Sequence, residues 1–241
     1  MGIMIPTESP REVFAVYRPF EAFRPAGRFL SVVGSGGKTS FLRFWSARLP
    51  GTVILTTSTH IFPFPGIPLV EAGPDPQSRS RVLRDLRAAL SRSPVVCLGR
   101  PEPSGKLASP DASVPFEVLL SVADFVLLEA DGSAGRPLKA HRPWEPVVPS
   151  CSDVTVGVVG ASGLGRPARE ACHCPDLFAS LAGISPEDPV RPEHVASVLN
   201  RENLASCWLV NQADTLPDPA EARRLCELIN VEAFPCSLSP R

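Results

Sequence analysis

Six short apolar runs constrain the fold of this 241-residue chain more than any other feature. They lie at 28–33, 52–57, 94–98, 125–128, 154–159 and 207–210, with a weaker run at 231–234. Runs this short and continuously apolar read as strands buried on both faces. Helical patterns separate several of them. From Lys38 to Leu49 the residues Phe41, Leu42, Trp45 and Leu49 recur at helical spacing, and Pro50-Gly51 closes the segment. Over 78–92, Val82, Leu83, Leu86, Ala89 and Leu90 share one face, with Arg and Asp opposite. Further helices are expected at 116–123, 176–182, 193–199 and 219–229. Buried strands alternating with amphipathic helices are the sequence form of a parallel α/β sheet.

One domain spanning residues 1–241 fits this length, with 1–27 as a less regular N-terminal arm. Hydrophobic residues at 44% and charged residues at 20% exclude disorder throughout. A formal net charge of -1 argues against a broad basic face, so neither nucleic acid nor a membrane surface is an expected partner. No run approaches the ~18 apolar residues of a membrane span. Residues 1–10 lack a signal-peptide core, so a cytoplasmic location is expected. Seven cysteines, an odd number, suit a reducing compartment. Cys172-His173-Cys174 lacks the second ligand pair that a structural zinc site needs. The Pro-rich segments 61–76, 99–115 and 131–150 read as long loops, which inside a domain are usually functional or disordered.

The first run leads directly into Gly34-Ser35-Gly36-Gly37-Lys38-Thr39-Ser40, and a helix follows. Strand, glycine loop and helix is the context that makes a phosphate-binding loop credible. Glycines let successive N–H groups converge on an anion, and the helix N-terminus adds partial positive charge. Lys38 would reach the β- and γ-phosphates. The Thr39 hydroxyl, with Ser40 as the alternative, would ligate Mg²⁺. Val32 stands where the longer P-loop spacing has glycine, so the match is G-x-x-G-K-T.

The run at 125–128 delivers Glu129 and Asp131, with Ala130 between them pointing the other way. One carboxylate would hold Mg²⁺ and the other orient the nucleophile; the sequence leaves the assignment open. The second run ends Thr56-Thr57-Ser58-Thr59-His60, in the crevice where α/β proteins bind ligands. Thr57 or Thr59 would reach Mg²⁺ or the γ-phosphate. A basic group follows the acidic pair: Arg136, Lys139, His141 and Arg142. With His60, these are candidates for a phosphate tail or an anionic second substrate. At the end of the 207–210 run, Asn211-Gln212-Ala213-Asp214 stands where GTPases carry N-K-x-D. Asn211 and Asp214 would meet the base, and Asp214 would pair with two adjacent donors of guanine.

Together the motifs resemble the YqeC family, described as accessory proteins of selenium-dependent molybdenum hydroxylases. The resemblance rests on G-S-G-G-K-T at 34–39, T-T-S-T-H at 56–60 and E-A-D-G-S-A-G-R-P-L-K-A at 129–140. E-P-V-V-P at 145–149 and V-G-V-V-G-A-S-G-L-G-R-P at 156–167 continue it in order. Cys174 departs from the family's arginine after His173, Gln212 breaks N-K-x-D, and the segment 200–207 is short.

Motifs and resemblance lead to one expectation of fold, a three-layer α/β protein of P-loop NTPase type with a mostly parallel central sheet. The expected activity is Mg²⁺-dependent binding and hydrolysis of ATP or GTP, with a lean towards GTP. Lys38, Glu129 and Asp131 would carry the chemistry, with Thr39 and Thr57 also at the metal. The resemblance implies a role in maturing a molybdenum hydroxylase or its cofactor. Two other readings stay open. One is an ATP-dependent ligase or kinase acting on an anionic small molecule. The other is a non-enzymatic, nucleotide-gated module that hands a cofactor to a partner.

Overall fold

Every apolar run of the sequence becomes a strand. The structure, a computed structural model, describes Phe23 and residues 27–238. The rest of the expected N-terminal arm lies outside the described residues. In chain order the strands are β1 (Phe29–Gly34), β2 (Val53–Thr57), β3 (His60–Ile61), β4 (Leu69–Glu71), β5 (Val95–Pro101) and β6 (Leu107–Ala108). They continue with β7 (Phe125–Glu129), β8 (Leu138–Lys139), β9 (Val154–Gly160), β10 (Cys172–His173), β11 (Cys207–Asn211) and β12 (Glu232–Pro235). The helices are α1 (Lys38–Ser46), α2 (Arg79–Leu90), α3 (Ala168–Ala171), α4 (Pro175–Ala182), α5 (Pro192–Glu202) and α6 (Ala220–Leu228).

The main sheet runs parallel in the order β12–β11–β9–β1–β7–β2–β5–β4. Strands β6 and β3 extend it antiparallel beyond the end of β5. β1 and β2 are buried at every residue, as central strands covered on both faces must be. Side chains alternate between two separate cores. Phe29 and Val33 enter one, which α2, α4, α5 and α6 close with Leu86, Phe178, Val195 and Leu225. Leu30 and Val32 enter the other, under Phe41, Leu42 and Trp45 of α1, with Phe23 and Phe234 beside them. Helices on both faces of the sheet make three layers, the expected fold class. Fully burying a side chain such as Leu42 contributes roughly 1.5–3 kcal/mol.

Sequence and structure differ in two places that matter. Residues 116–123 form a 3₁₀ turn, Phe116–Ser121, after Pro115; Phe116 and Leu119 are its two buried residues, one 3₁₀ turn apart. The Pro-rich segments are more ordered than loops: they contain β3, β4, β6 and β8. The parallel pair β8–β10 sets Lys139 beside His173.

Candidate functional site

The site forms where the carboxyl ends of β1, β7 and β2 lie side by side. Because β7 pairs with both β1 and β2, Glu129 stands in register with Val32 on one side and Thr57 on the other. The glycine loop leaves β1 and turns into α1. Gly36 has φ 75° and Gly37 φ 134°, conformations that L side chains rarely adopt. The N–H groups of Gly36 and Gly37 donate to no described residue. No side chain caps α1, so its first-turn N–H groups also face the loop without a side-chain partner.

Lys38 folds back into the loop. Its Nζ donates to the Gly34 carbonyl at 2.6 Å and lies 3.2 Å from Asp131 Oδ1 and 3.7 Å from Glu129 Oε1. Asp131 is fully buried and surrounded. Its Oδ2 accepts from the Gly34 N–H at 3.0 Å, pairs with Lys139 Nζ at 3.0 Å and lies 2.8 Å from His141 Nε2. Burial would raise the Asp131 carboxyl, but Lys38, His141 and Lys139 overturn that and hold it well below the usual carboxylate range. Glu129 has fewer partners. Its Oε2 accepts from the Thr39 hydroxyl at 3.1 Å. Burial raises its carboxyl, and Lys38 only partly offsets this. The two carboxylates predicted to share a face therefore do so, with opposite shifts.

Two of the four predicted basic residues join this cluster. Lys139 donates to the Gly132 carbonyl at 2.6 Å and pairs with Glu145 at 3.0 Å. His141 bridges two carboxylates: Nδ1 lies 2.8 Å from Glu202 Oε2, and its backbone N–H donates to Glu202 Oε1 at 2.6 Å. Burial lowers the His141 imidazole, but its bonds to Asp131 and Glu202 prevail and raise it. Arg136 instead bonds the Glu170 carbonyl, and Arg142 lies over the exposed Trp144 ring. His60 stands apart on β3, paired with Glu102 at 3.3 Å.

The hydroxyls divide likewise. Thr57 Oγ1 donates to the Glu129 carbonyl at 2.9 Å and accepts from the Thr59 N–H, which ties β2 to β7. Ser35 Oγ donates to the Pro137 carbonyl at 2.8 Å. Ser40 lies in the first turn of α1. Asn211 is fully buried. It donates to the Gly36 carbonyl and accepts from the Leu238 N–H, both at 2.7 Å. Asp214 is exposed on the following turn and accepts from Ser237 Oγ. Gln212 reaches back over β9, where its Oε1 accepts from Ser162 Oγ at 2.6 Å.

Glu202 and Glu145 were not among the residues singled out from sequence. Glu202 ends α5, 61 residues from His141, and no local motif marks it. All seven cysteines are free, and burial pushes Cys97 and Cys172 up to about 12. Among the described residues, no cluster of three or more His, Cys, Asp or Glu side chains is arranged to hold a metal ion.

A three-layer α/β fold that carries a glycine loop, a buried lysine and two carboxylates at the carboxyl ends of its mostly parallel sheet defines the class of protein. Residues 30–176, more than half of the chain, match the family model described as YqeC protein, and the chain belongs to that family. A curated relative, "Uncharacterized protein YqeC" of Escherichia coli (strain K12), is 36% identical over 168 residues. That match covers 66% of this chain and 62% of the relative's length. No solved structure matches. No helix of the described residues is long and apolar enough to cross a membrane.

Proposed function

We propose that this protein binds a purine nucleoside triphosphate with Mg²⁺ on the 34–39 loop and hydrolyses it. The observation that carries this reading is the position of Lys38. Its ammonium sits 3.2 Å from Asp131 inside a loop whose Gly36 and Gly37 N–H groups have no described acceptor. An incoming phosphate would offer those donors and the ammonium an acceptor. Charge-assisted bonds of this kind are the strong ones.

The donor set fits Mg²⁺ as well. Thr39 and Glu129 stand 3.1 Å apart at the mouth of the loop, a hydroxyl and a carboxylate of the type that Mg²⁺ takes. When bound, Mg²⁺ would neutralise charge developing on the phosphate oxygens. Asp131, with the Gly34 N–H, Lys38, Lys139 and His141 around it, would position the lysine and the loop. Glu129, with fewer partners, would face the metal and the attacking water. Asp214 would favour guanine over adenine, and the surroundings of Asn211 make it a support of the loop. The YqeC resemblance supports a role in maturing a molybdenum hydroxylase or its cofactor, and the free cysteines suit a cytoplasmic location.

Calorimetric titration with ATP and GTP in the presence of Mg²⁺ tests the proposal. A charged hydrogen bond is worth about 1.5–3 kcal/mol, so Lys38→Ala should lower affinity about 10- to 100-fold at ~1.4 kcal/mol per tenfold. Isotherms unchanged by Lys38→Ala would remove the loop from the site. Competition among the four adenine and guanine nucleotides, with and without Asp214→Asn, reads the base preference.

A further inference from the structure

Asp131 offers its two carboxylate oxygens to different partners, and the division bears on how Lys38 reaches a phosphate. Three groups converge on Oδ2: the Gly34 N–H at 3.0 Å, Lys139 Nζ at 3.0 Å and His141 Nε2 at 2.8 Å. Oδ1 is buried and accepts no hydrogen bond from the described residues. It faces the Lys38 ammonium at 3.2 Å. Glu129, the other carboxylate near that ammonium, is farther away at 3.7 Å.

The two lysines on Asp131 are held unequally. Lys139 donates to the Gly132 carbonyl at 2.6 Å and pairs with both Asp131 and Glu145 at 3.0 Å. Its backbone lies in the β8–β10 pairing. Lys38 begins α1 at the end of the glycine loop. One hydrogen bond, to the Gly34 carbonyl at 2.6 Å, holds its ammonium against Oδ1. A buried carboxylate stripped of its partners strongly destabilises a fold. Departure of Lys38 does not strip Asp131, because Oδ2 keeps the Gly34 N–H, Lys139 and His141. One cation is fixed and the other is exchangeable.

Resting on the reading of the 34–39 loop as a triphosphate site, we infer that Asp131 is an internal stand-in for phosphate. It holds Lys38 when no phosphate is bound, and a triphosphate binds by drawing the lysine from Oδ1 to its own terminal oxygens. Asp131 is then a positioning residue that competes with the ligand. Lys139 is the fixed counter-charge that lets the exchange occur.

Asp131→Asn separates the two oxygens. Its amide oxygen keeps the place of Oδ2, accepting from the Gly34 N–H and Lys139, and its NH₂ group turns a donor towards Lys38. The lysines of the chain are Lys38, Lys106 and Lys139, so acetic anhydride labelling with peptide mass spectrometry reads each one. In the nucleotide-free wild type the buried Lys38 and Lys139 should label slowly, with half-buried Lys106 as the fast reference. In Asp131→Asn, Lys38 should label about tenfold faster while Lys139 stays slow, and calorimetric affinity for ATP and GTP with Mg²⁺ should rise about tenfold. Lys38 labelling that the substitution leaves unchanged overturns the proposal, as does weaker triphosphate binding by the variant. Selective release of Lys38 in a protein that binds no triphosphate supports the hold on Lys38 while the nucleotide reading fails. Release of both buried lysines means that the variant has lost its fold, and Lys38→Met then decides. With Asp131 still paired to Lys139 and His141, Lys38→Met should melt within a few degrees of wild type. A Lys38→Met protein that does not fold makes Lys38 a structural counter-ion and overturns the proposal.

Discussion

Asn211 and Gly36 are 175 residues apart in the chain, yet the Asn211 side-chain amide donates to the Gly36 carbonyl at 2.7 Å. Its other end accepts from the Leu238 N–H, so one buried side chain joins the glycine loop, the end of β11 and the chain beyond β12. Asn211→Ala would leave the buried Leu238 N–H and the part-buried Gly36 carbonyl without this partner, at about 1–3 kcal/mol for a fully buried group. Thermal unfolding should move to lower temperature, and ATP and GTP affinity should fall by the same factor. A change in the ratio of the two affinities would return Asn211 to the base.

That contact explains why the 211–214 segment read differently from sequence. Asn-x-x-Asp after a late strand matches a base-contacting pattern, and the residues around Asn211 come from opposite ends of the chain. The local parts were legible. Strands β1, β2, β5, β7, β9 and β11 are continuous apolar runs, and the glycine loop and the Glu129/Asp131 tip each lie within one short segment. What crosses between elements was not. Arg136 and Lys139 look alike in sequence, but only Lys139, held by the β8–β10 pairing, reaches Asp131. Glu202 meets His141 through the docking of α5, and no local spacing encodes that.

Gly37 is where the loop tolerates least change. Its φ is 134°, and a Cβ there would stand 2.1 Å from Asn211 Nδ2. Gly37→Ala would combine backbone strain with loss of the Asn211 support. Triphosphate affinity should drop more than tenfold, with a lower melting temperature. Equal affinity in calorimetry would show that the loop does not bind phosphate in this conformation.

His141 links stability to pH through its two carboxylates. Its pKa is raised above the ordinary 6.5, with burial opposing and Asp131 and Glu202 prevailing. A raised histidine stabilises fully below the unfolded value and loses that contribution as pH rises through the folded one. Lys139 pairs with the same Asp131 oxygen, and Asp131, held low, stays ionised across this range. Wild-type stability should therefore decline as pH climbs above about 6.5. Glu202→Gln removes one of the two charges raising His141, so its decline should be shallower. Urea unfolding of both proteins between pH 5 and 9 measures this; parallel curves would mean that Glu202 does not set the imidazole's protonation.

Glu129 behaves in the opposite way to Asp131, and that separates stability from function at one residue. Burial, only partly offset by Lys38, raises its carboxyl. Stability linked to a raised carboxyl is present below the ordinary value and is lost as pH rises through the folded value. Above the ordinary carboxylate range this buried acid is therefore a cost to the ligand-free fold. Glu129→Gln keeps the shape, still accepts from Thr39 through its amide oxygen, and removes the charge. The variant should melt at a higher temperature than wild type at pH 7; a gain of ~1 kcal/mol corresponds to roughly 2–4 °C in a protein of this size. The same change removes the carboxylate proposed to face Mg²⁺. Any triphosphate turnover should then fall by orders of magnitude while affinity changes little, because the loop and Lys38 are intact. Scanning calorimetry and a phosphate-release assay on one preparation read both effects. A variant that melts lower, or that turns over at the wild-type rate, would mean that the Glu129 charge serves the fold and not the metal.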